Sequence, residues 1–341
     1  LFECVAQINI MDVQNNNSQS EYLNDTWPWQ SQHDEALLTV LLYYLLGFLA
    51  VFSNITLLRI LYRLKNVQND YMSLRALAIG CIIYGAAFIY IAVYRSVILY
   101  CKPLSISISV CIIYVPFFIG GDTACACSVL LISVERFLAA TTVDLYKKLQ
   151  SPKWRRIAII TLCIFPMADL VYSCISTTHT LNEITSPFCF TEDFMPNVYY
   201  DFHLTLVLSI GLATCIVFAL SFFVMKFRKS TSAGVDTVRL RREAIVTKRL
   251  VQLLLVKAVI QIIPSAIYIY ARELTLWEII KTYVWILQGL NQSVFAAAYV
   301  CIDSTFRKEM KKIFTCRTHV ISMNQDIASS KVNPSAESHK C

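Results

Sequence analysis

The chain has 341 residues, of which 56% are hydrophobic and only 16% are charged. Soluble domains carry about 25% charged and about 45–50% apolar residues. A shift of this size over the whole length excludes an ordinary soluble domain and indicates a membrane protein. The formal net charge of +7 would suggest nucleic-acid binding in a soluble chain. Here the distribution of the charges matters more than their sum, and we expect no nucleic-acid partner.

Seven apolar segments of roughly 20 residues, the length that spans a bilayer, follow one another along the chain. They cover approximately 36–61, 76–99, 107–134, 157–176, 202–225, 250–271 and 280–302. Residues 1–35 contain no Lys or Arg and no apolar core of the length that a signal peptide needs, and Met11 is a candidate initiator. The sequence therefore predicts an all-α membrane protein with a seven-transmembrane helix bundle over 36–302.

The charges of the loops predict the orientation in the membrane. One set of alternate loops, together with the C-terminal tail, carries 25 Lys and Arg, whereas the other set carries 4. The positive-inside rule places the basic side in the cytoplasm, so the N-terminal tail 1–35 is predicted to be extracellular. Its sequons at Asn16 and Asn24 are candidate glycosylation sites.

Polar residues within the predicted spans need protein partners, because hydrocarbon offers none. Asn54 and Asn291 are candidates for a hydrogen-bond network or for simple packing contacts between helices. Asp122 lies 14 residues before Arg136, about 21 Å from the cytoplasmic edge. It is either a functional residue or a protonated Asp bonded to a neighbouring helix. Lys257 either pairs with it or extends to the cytoplasmic surface.

Two further residues mark the fourth and sixth spans. Asp169 lies near the outer end of the fourth span, and we expect it to be interfacial. Pro264 lies inside the sixth span, where the loss of a backbone hydrogen bond bends a helix. A kink at Pro264 is therefore expected, and it would let the cytoplasmic half of that span swing.

Most of the thirteen cysteines lie in apolar runs, where they act as small hydrophobes. Cys111 at the start of the third span and Cys189 in the fourth loop instead face an oxidising compartment, where a disulfide is stable. Such a bridge would tie the loop over the bundle, and Cys101 is a competing partner. No CxxC pair recurs, so we expect no metal site and no cofactor. The histidines lie in loops, tails or span ends, which indicates no catalytic site and no enzyme: His33, His179, His203, His319 and His339.

The segment STFRKEMKKIFTC at 304–316 follows the last span. Phe306, Met310, Ile313 and Phe314 fall on one helical face, and four Lys and Arg cover the other. This pattern predicts a short amphipathic eighth helix over 303–317 on the inner leaflet. Cys316 at its end is a candidate palmitoylation site. The polar tail 318–341 is predicted to be disordered in the cytoplasm.

Together these features resemble a G-protein-coupled receptor. Cys111 precedes Arg136 by 25 residues, the spacing between the bridging Cys and the Arg of the D/E-R-Y motif in rhodopsin-like receptors. The motif here is Glu135-Arg136-Phe137, with Phe in place of the usual Tyr.

The end of the seventh span departs further from that family. Tyr299 and Phe306 match the end of the N-P-x-x-Y-x(6)-F pattern, but the Asn-Pro is absent. The second span has Gly80 near the place of the usual buried Asp. Both losses are departures from the microswitch network of ordinary rhodopsin-like receptors.

The run ISVERFLAATTVDLYKK at 132–148 is similar to the E-R-x-x-A-T-x-x-x-x-x-Y-E signature of nematode chemoreceptors of the SRA superfamily. The SRE family is the most similar within it. Ala139 fits the signature and Tyr146 falls near its tyrosine, while Lys147 replaces its Glu.

The resemblance implies a chemosensory receptor of the plasma membrane that binds a small molecule and activates a heterotrimeric G protein. The implied pocket opens outward and is lined by Phe118, Asp122, Tyr268 and Gln288. The alternative is a transporter or ligand-gated channel for small solutes. The absence of an internal repeat in the sequence and the small number of intramembrane charges weigh against it.

The resemblance also implies a switch at the cytoplasmic end. Glu135 would hold Arg136 in the resting state, and Arg136 would turn inward to meet the G protein in the active state. Tyr299 belongs to the same switch, and the sixth span would pivot at Pro264.

Overall fold

The computed structural model describes residues 30–63, 72–101, 106–113, 115–141, 151–181, 183–185, 187–189, 191–229, 258–271, 277–302 and 306–313. In chain order the elements are α1 (Gln30–Arg63), α2 (Met72–Cys101), β1 (Ile106–Ser107), α3 (Ile108–Cys111), α4 (Val115–Thr141), α5 (Pro152–Thr177), β2 (Ile184–Thr185), α6 (Thr191–Phe194) and α7 (Asn197–Lys229). A π-helical turn (Ala258–Ile262) continues into α8 (Ile263–Ala271), and α9 (Trp277–Ile302) follows. The helical segment 306–313 is α10.

Five of the described helices, α1, α2, α4, α5 and α7, are long and apolar enough to cross a membrane. Their predominance confirms an all-α membrane protein. Helix α1 begins at Gln30, inside the predicted tail, and its apolar membrane-length part begins at Leu37. Helices α8 and α9 lie where the sixth and seventh spans were predicted.

The third span differs from its predicted bounds of 107–134. The chain forms the short helix α3, turns at 112–113, and starts α4 only at Val115. Pro116 stands in the first turn of α4, where its missing N–H breaks no helical hydrogen bond. Helix α4 then continues to Thr141, because helical hydrogen bonding does not stop where the apolar run does. Glu135 and Arg136 therefore lie within the helix and not at its end.

Helix α4 is central in the bundle. It packs against α2, α5 and α7, while α1 packs against α2 and α9, and α8 contacts both α7 and α9. Of the five membrane-length helices α4 is the most buried and α5 the least. The arrangement is a ring of α1, α2, α4, α7, α8 and α9, with α5 attached to the outside of α4.

Two glycines let α1 and α2 approach closely. A Cβ built on Gly47 would lie 2.8 Å from the carbonyl oxygen of Gly85, and one on Gly85 would lie 2.9 Å from the Cβ of Ala50. Small residues at such a contact are the usual way in which membrane helices gain van der Waals packing, since lipid is as apolar as the helix surface.

Two apolar clusters fill the ends of the bundle. The cluster at the disulfide end, which carries Cys111 and Cys189, includes Phe88, Phe118 and Tyr199. The cluster at the Glu135 end includes Leu57, Val129, Phe295 and Phe306. Along α4 the first cluster ends near Ile119 and the second begins at Cys125. The residues between them form a polar layer.

Large apolar side chains cover the outward faces of the helices. Phe52 and Leu45 of α1 are each more than half exposed, as are Ile164 and Met167 of α5. Such a surface is stable only in an apolar surrounding, which indicates a lipid bilayer.

The glycine contact yields the first prediction. We expect Gly47→Ala to lower the stability of the protein by about 1–3 kcal/mol, because the added methyl group meets a backbone atom that cannot rotate away. The measurement is thermal unfolding of the purified chain in detergent micelles.

Gly120→Ala is the matched control, since a Cβ there lies 3.9 Å from its nearest neighbour, Leu170 Cδ1, which is ordinary contact. Equal melting temperatures for the two variants would contradict the close packing of α1 on α2.

Candidate functional site in the polar layer

Asp169 of α5 is the most fully bonded carboxylate in the polar layer. It is only 3% exposed. Thr123 of α4 donates to its Oδ2, and Tyr199 of α7 donates to its Oδ1 at 2.9 Å. Nδ1 of His203 lies 2.9 Å from Oδ2. The expectation of an interfacial Asp169 was wrong, because this face of α5 turns toward α4 and α7 and not toward headgroups.

His203 joins Asp169 to a second buried carboxylate. The ring is 1% exposed, and its Nε2 lies 3.9 Å from Oδ2 of Asp122 on α4. The expectation that every histidine lies in a loop, tail or span end was wrong for His203. Helix α7 already begins at Asn197, so His203 lies more than one turn inside it. The ring therefore reaches the layer between the apolar clusters.

Asp122 continues the network to α9 and α2. Gln292 of α9 directs its Nε2 to Asp122 Oδ1 at 3.5 Å, at the long limit of a hydrogen bond. The Oε1 atom of Gln292 is 3.4 Å from the thiol of Cys81, which is 3.4 Å from that of Cys125. Asp122 is fully buried, as its predicted depth requires. Its predicted partner Lys257 lies outside the described residues.

Asn54 and its neighbours extend the network to α1. Asn54 Nδ2 donates to the carbonyl of Ala50 at 2.8 Å and lies 3.5 Å from that of Gln292. Ser293 donates to the carbonyl of Leu46 at 2.9 Å. Asn54 thus belongs to a hydrogen-bond network, which is one of the two alternatives that its sequence position left open. Asn291 is also buried.

The predicted pocket residues that the structure describes differ in their surroundings. Phe118 stacks on Tyr84 with ring centroids 4.9 Å apart and belongs to the apolar cluster. Gln288 is 1% exposed, and its amide has no hydrogen-bond partner among the described residues. The amide that contacts Asp122 belongs to Gln292, one turn farther along α9. The side chains of Tyr268 and Pro264 lie outside the described residues.

A small cavity lies beside the network, between α4, α7 and α8. Its volume of about 10 Å³ is at the lower limit for one water molecule. Its lining includes Ala126, Val207, Gly211, Ile262 and Ser265.

A loop covers the disulfide end of the bundle. The predicted Cys111–Cys189 disulfide is present, and Cys101 is a free, exposed thiol. The strands β1 and β2 pair antiparallel beside it. Cys189 has a left-handed backbone with φ of 49°, a conformation that costs about 1–2 kcal/mol without glycine. The disulfide and the hydrogen bonds of the loop hold it there.

Two side chains of α2 anchor this loop from below. The hydroxyl of Tyr94 donates to the carbonyl of Pro187 at 2.9 Å, and Nε of Arg95 donates to that of Phe188 at 3.0 Å. The Arg95 guanidinium also lies 4.9 Å above the ring of Tyr43. Arg95 is only 5% exposed, so this charge is buried beneath the loop although it lies near the end of the second predicted span.

The Glu135 end holds the predicted switch residues. Glu135 accepts a hydrogen bond from Ser73 of α2, and Arg136 beside it is half-buried. Tyr299 packs edge-on against Phe306 of α10, with ring centroids 5.1 Å apart. The holding of Arg136 by Glu135 stays a prediction. The modification sites Asn16, Asn24 and Cys316 lie outside the described residues.

No group of three or more His, Cys, Asp or Glu that could hold a metal ion occurs in the described part of the chain. Neither the family models nor the curated proteins include a match for this chain.

Asp169 gives a direct test of the network. We expect Asp169→Ala to destabilise the protein by about 3–5 kcal/mol, because three buried donors lose their shared acceptor. Thermal unfolding in micelles, followed by tryptophan fluorescence, measures the change.

Asp201→Ala is the matched control, since Asp201 is an exposed carboxylate on α7, and exposed substitutions shift stability by about 0.5 kcal/mol or less. A melting temperature of Asp169→Ala equal to that of Asp201→Ala would show that the three contacts do not stabilise the fold.

Proposed function

We propose that the chain is a seven-span G-protein-coupled receptor for a small molecule, similar to the nematode chemoreceptors of the SRE family. One observation carries the proposal. The central helix α4 follows directly on the disulfide Cys111–Cys189 at one end and carries Glu135 against Ser73 at the other. The buried polar network lies between them. A ligand signal arriving at one end therefore has a continuous protein path to the other.

Signal transfer rests on the loose contacts of the network. Asp122 is linked to Gln292 and His203 at 3.5 and 3.9 Å, distances that leave room for a second, tighter arrangement. A ligand that favours this arrangement shifts the population of the two states. The outward pocket is proposed around Phe118, Asp122, Tyr268 and Gln288, with the buried amide of Gln288 as the polar contact for the ligand.

At the other end, G-protein binding follows from release of Arg136. Glu135 is engaged by Ser73, which connects α4 to α2. A movement of α4 against α2 changes this contact and frees Arg136 to bind the G protein. The π-helical turn Ala258–Ile262 ends two residues before Pro264, so the two features together form the proposed pivot of the sixth span.

The proposed topology has seven spans, an extracellular N-terminus and a cytoplasmic C-terminus in the plasma membrane. Helix α10 is the proposed membrane-surface helix. Its Phe306 is buried against the bundle, whereas Arg307, Lys308, Lys311 and Lys312 are exposed, which suits contact with anionic lipid headgroups. Glycosylation at Asn16 and Asn24 and palmitoylation at Cys316 belong to the same proposal.

One observation favours a second function, a proton-coupled transporter of small solutes. Asp122, His203 and Asp169 form a buried row of acidic and imidazole groups, and proton pumps and transporters use such rows. Liposomes that contain the purified chain and a trapped pH dye separate the two functions. Solute-dependent proton flux belongs to the transporter, and a receptor gives none.

The receptor function is tested by the loss of coupling. Cells that express the chain are screened with small volatile and soluble compounds while cAMP, cGMP and calcium are recorded. For any active compound, we expect Arg136→Ala to reduce the response at least about tenfold, equivalent to ~1.4 kcal/mol of coupling.

Arg156→Ala is the control for the loss of one positive charge, since Arg156 is exposed at the start of α5. Surface expression of each variant is measured in parallel. An undiminished response in Arg136→Ala at normal expression contradicts the proposed coupling site.

The topology is tested by glycosylation mapping. We expect Asn24→Gln to shift the electrophoretic mobility of the chain by one glycan, because the tail is proposed to lie outside. Asn54→Gln is the control, since Asn54 is buried within α1 and no transferase reaches it. An unglycosylated N-terminal tail would support the reverse orientation.

A further inference from the structure

Ser265 of α8 carries a buried hydroxyl group that the protein leaves without a partner. The residue is 2% exposed, and its Oγ has no hydrogen-bond partner in the described part of the chain. Other buried hydroxyl groups of the bundle donate to a carbonyl one turn earlier, as Ser221 does to Val217 at 2.7 Å. A polar group that leaves water is unfavourable unless it is hydrogen-bonded. Ser265 therefore needs a partner from outside the described chain.

Ser265 lies in the wall of the small cavity between α4, α7 and α8. The volume of about 10 Å³ is the lower limit for one water molecule. Two described residues of the wall, Thr214 and Ser265, carry a hydroxyl group, and the others are apolar: Ala126, Val207, Leu208, Gly211 and Ile262. Cavities that stay dry are apolar, whereas buried water is found where polar groups need partners. The wall of this cavity is of the second kind.

Thr214 of α7 supplies the second polar contact that a water molecule needs in this cavity. It is 2% exposed, and its hydroxyl donates to the carbonyl of Ile210 at 2.7 Å. Its one hydrogen is used in that bond, so its oxygen is left as an acceptor. A water molecule in the cavity can therefore donate to Thr214 and exchange a second hydrogen bond with Ser265.

The backbone before Ser265 also favours ordered water. The π-helical turn Ala258–Ile262 ends two residues before Pro264, and proline has no N–H to donate within a helix. One carbonyl of the preceding turn therefore lacks its usual amide donor. In membrane helices such carbonyl groups are satisfied by Ser or Thr side chains, by local π-helical adjustment or by ordered water.

We propose that the cavity between α4, α7 and α8 is a binding site for one buried water molecule, and that this water bridges the hydroxyl groups of Ser265 and Thr214. The bridge joins α8 to α7 beside the π-helical turn. The apolar contact at this place is already close, since a Cβ built on Gly211 would lie 3.2 Å from Ile262 Cγ1. The water adds a polar link to that contact. The inference is independent of the receptor function, because it concerns the protein without a ligand or G protein.

The sign of a stability change distinguishes a hydrated cavity from a dry one. In the hydrated cavity Ser265→Ala removes a hydrogen bond to the water. We then expect the melting temperature of the full chain in detergent micelles to fall by about 1–3 °C. In a dry cavity the same change removes an unpartnered buried hydroxyl, so the melting temperature rises or stays the same.

A bridge also couples the two hydroxyl groups to each other. Thr214→Val keeps the shape of the side chain but removes its oxygen, so the water loses that partner. The double variant of Ser265→Ala with Thr214→Val should lose less stability than the sum of the single variants, because either change alone breaks the bridge. The control pairs Ser265→Ala with Thr161→Val. Thr161 bonds to Ile157 in the same way at 3.0 Å but is exposed on α5, so these two effects should add.

NMR observes the water directly. The chain is labelled with ¹³C in its alanine methyl groups, and the signal of Ala126 is identified by its loss in Ala126→Gly. We expect cross-relaxation between this methyl group and water protons in the wild-type chain. It should be lost in Ser265→Ala and retained in Ser221→Ala, since Ser221 is an equally buried serine that bonds within its own helix.

The proposal is overturned if Ser265→Ala raises the melting temperature or leaves it unchanged. It is also overturned if the Ala126 methyl group of the wild-type chain shows no cross-relaxation with water. Additive effects of Ser265→Ala and Thr214→Val would contradict the bridge, because a shared water makes the two changes dependent on each other.

Discussion

The carboxylate of Asp169 is the acceptor on which the middle of the bundle depends. In hydrocarbon each unsatisfied polar group costs several kcal/mol, so the donors of Thr123, Tyr199 and His203 must meet an acceptor at the same depth. Asp169 supplies it from α5. Helix α5 is the least buried of the five membrane-length helices. Its apolar faces gain little free energy when they move from lipid to contact with other helices. The shared carboxylate therefore sets the depth and rotation of α5 against α4 and α7.

The same requirement explains why the polar layer is continuous across the bundle. Each polar residue that makes one contact in the layer carries a second polar atom, which needs a hydrogen-bond partner of its own. His203 brings Nε2, which faces Asp122, and Gln292 brings both an amide hydrogen and a carbonyl. The chain of partners ends at backbone carbonyls of α1, where the contact of Gly47 with Gly85 holds α1 close to α2. Tyr199 and His203 each lie 2.9 Å from the Asp169 carboxylate, whereas Gln292 and His203 lie 3.5 and 3.9 Å from that of Asp122.

The two ends of the bundle are built differently. At the disulfide end, Phe188 and Cys189 of the covering loop are part of the apolar cluster, and Arg95 and Tyr94 bond its backbone. That cover is fixed covalently to the chain just before α4. At the Glu135 end Ser73 of α2 donates a hydrogen bond to Glu135 of α4, beside the apolar cluster that includes Leu57, Val129, Phe295 and Phe306.

Several residues of the site could be predicted from the sequence, and others could not. Asp122 was singled out because placing an acidic residue deep in hydrocarbon costs free energy, and its depth in the apolar run can be counted from the sequence. The pairing of Cys111 with Cys189 was favoured because both residues face the oxidising compartment, but the sequence left Cys101 open as a competing partner, and the structure decided for Cys189. Asp169 and His203 were misjudged, since both lie near predicted span ends, and helix starts are read from sequence only to within a turn or so. Gln292, which contacts Asp122, was not singled out from the sequence, because two glutamines one turn apart share a helical face and only packing separates them.

The sequence by itself determined the membrane environment and the helical class, because each rests on composition or on residue type summed over long segments. Only the tertiary structure decided which polar side chains meet. That choice depends on the rotation of each helix about its own axis, and a rotation of a few tens of degrees moves a side chain from lipid to the interior without changing any residue. The Asp169–His203–Asp122 row is the result of three such rotations, in α5, α7 and α4.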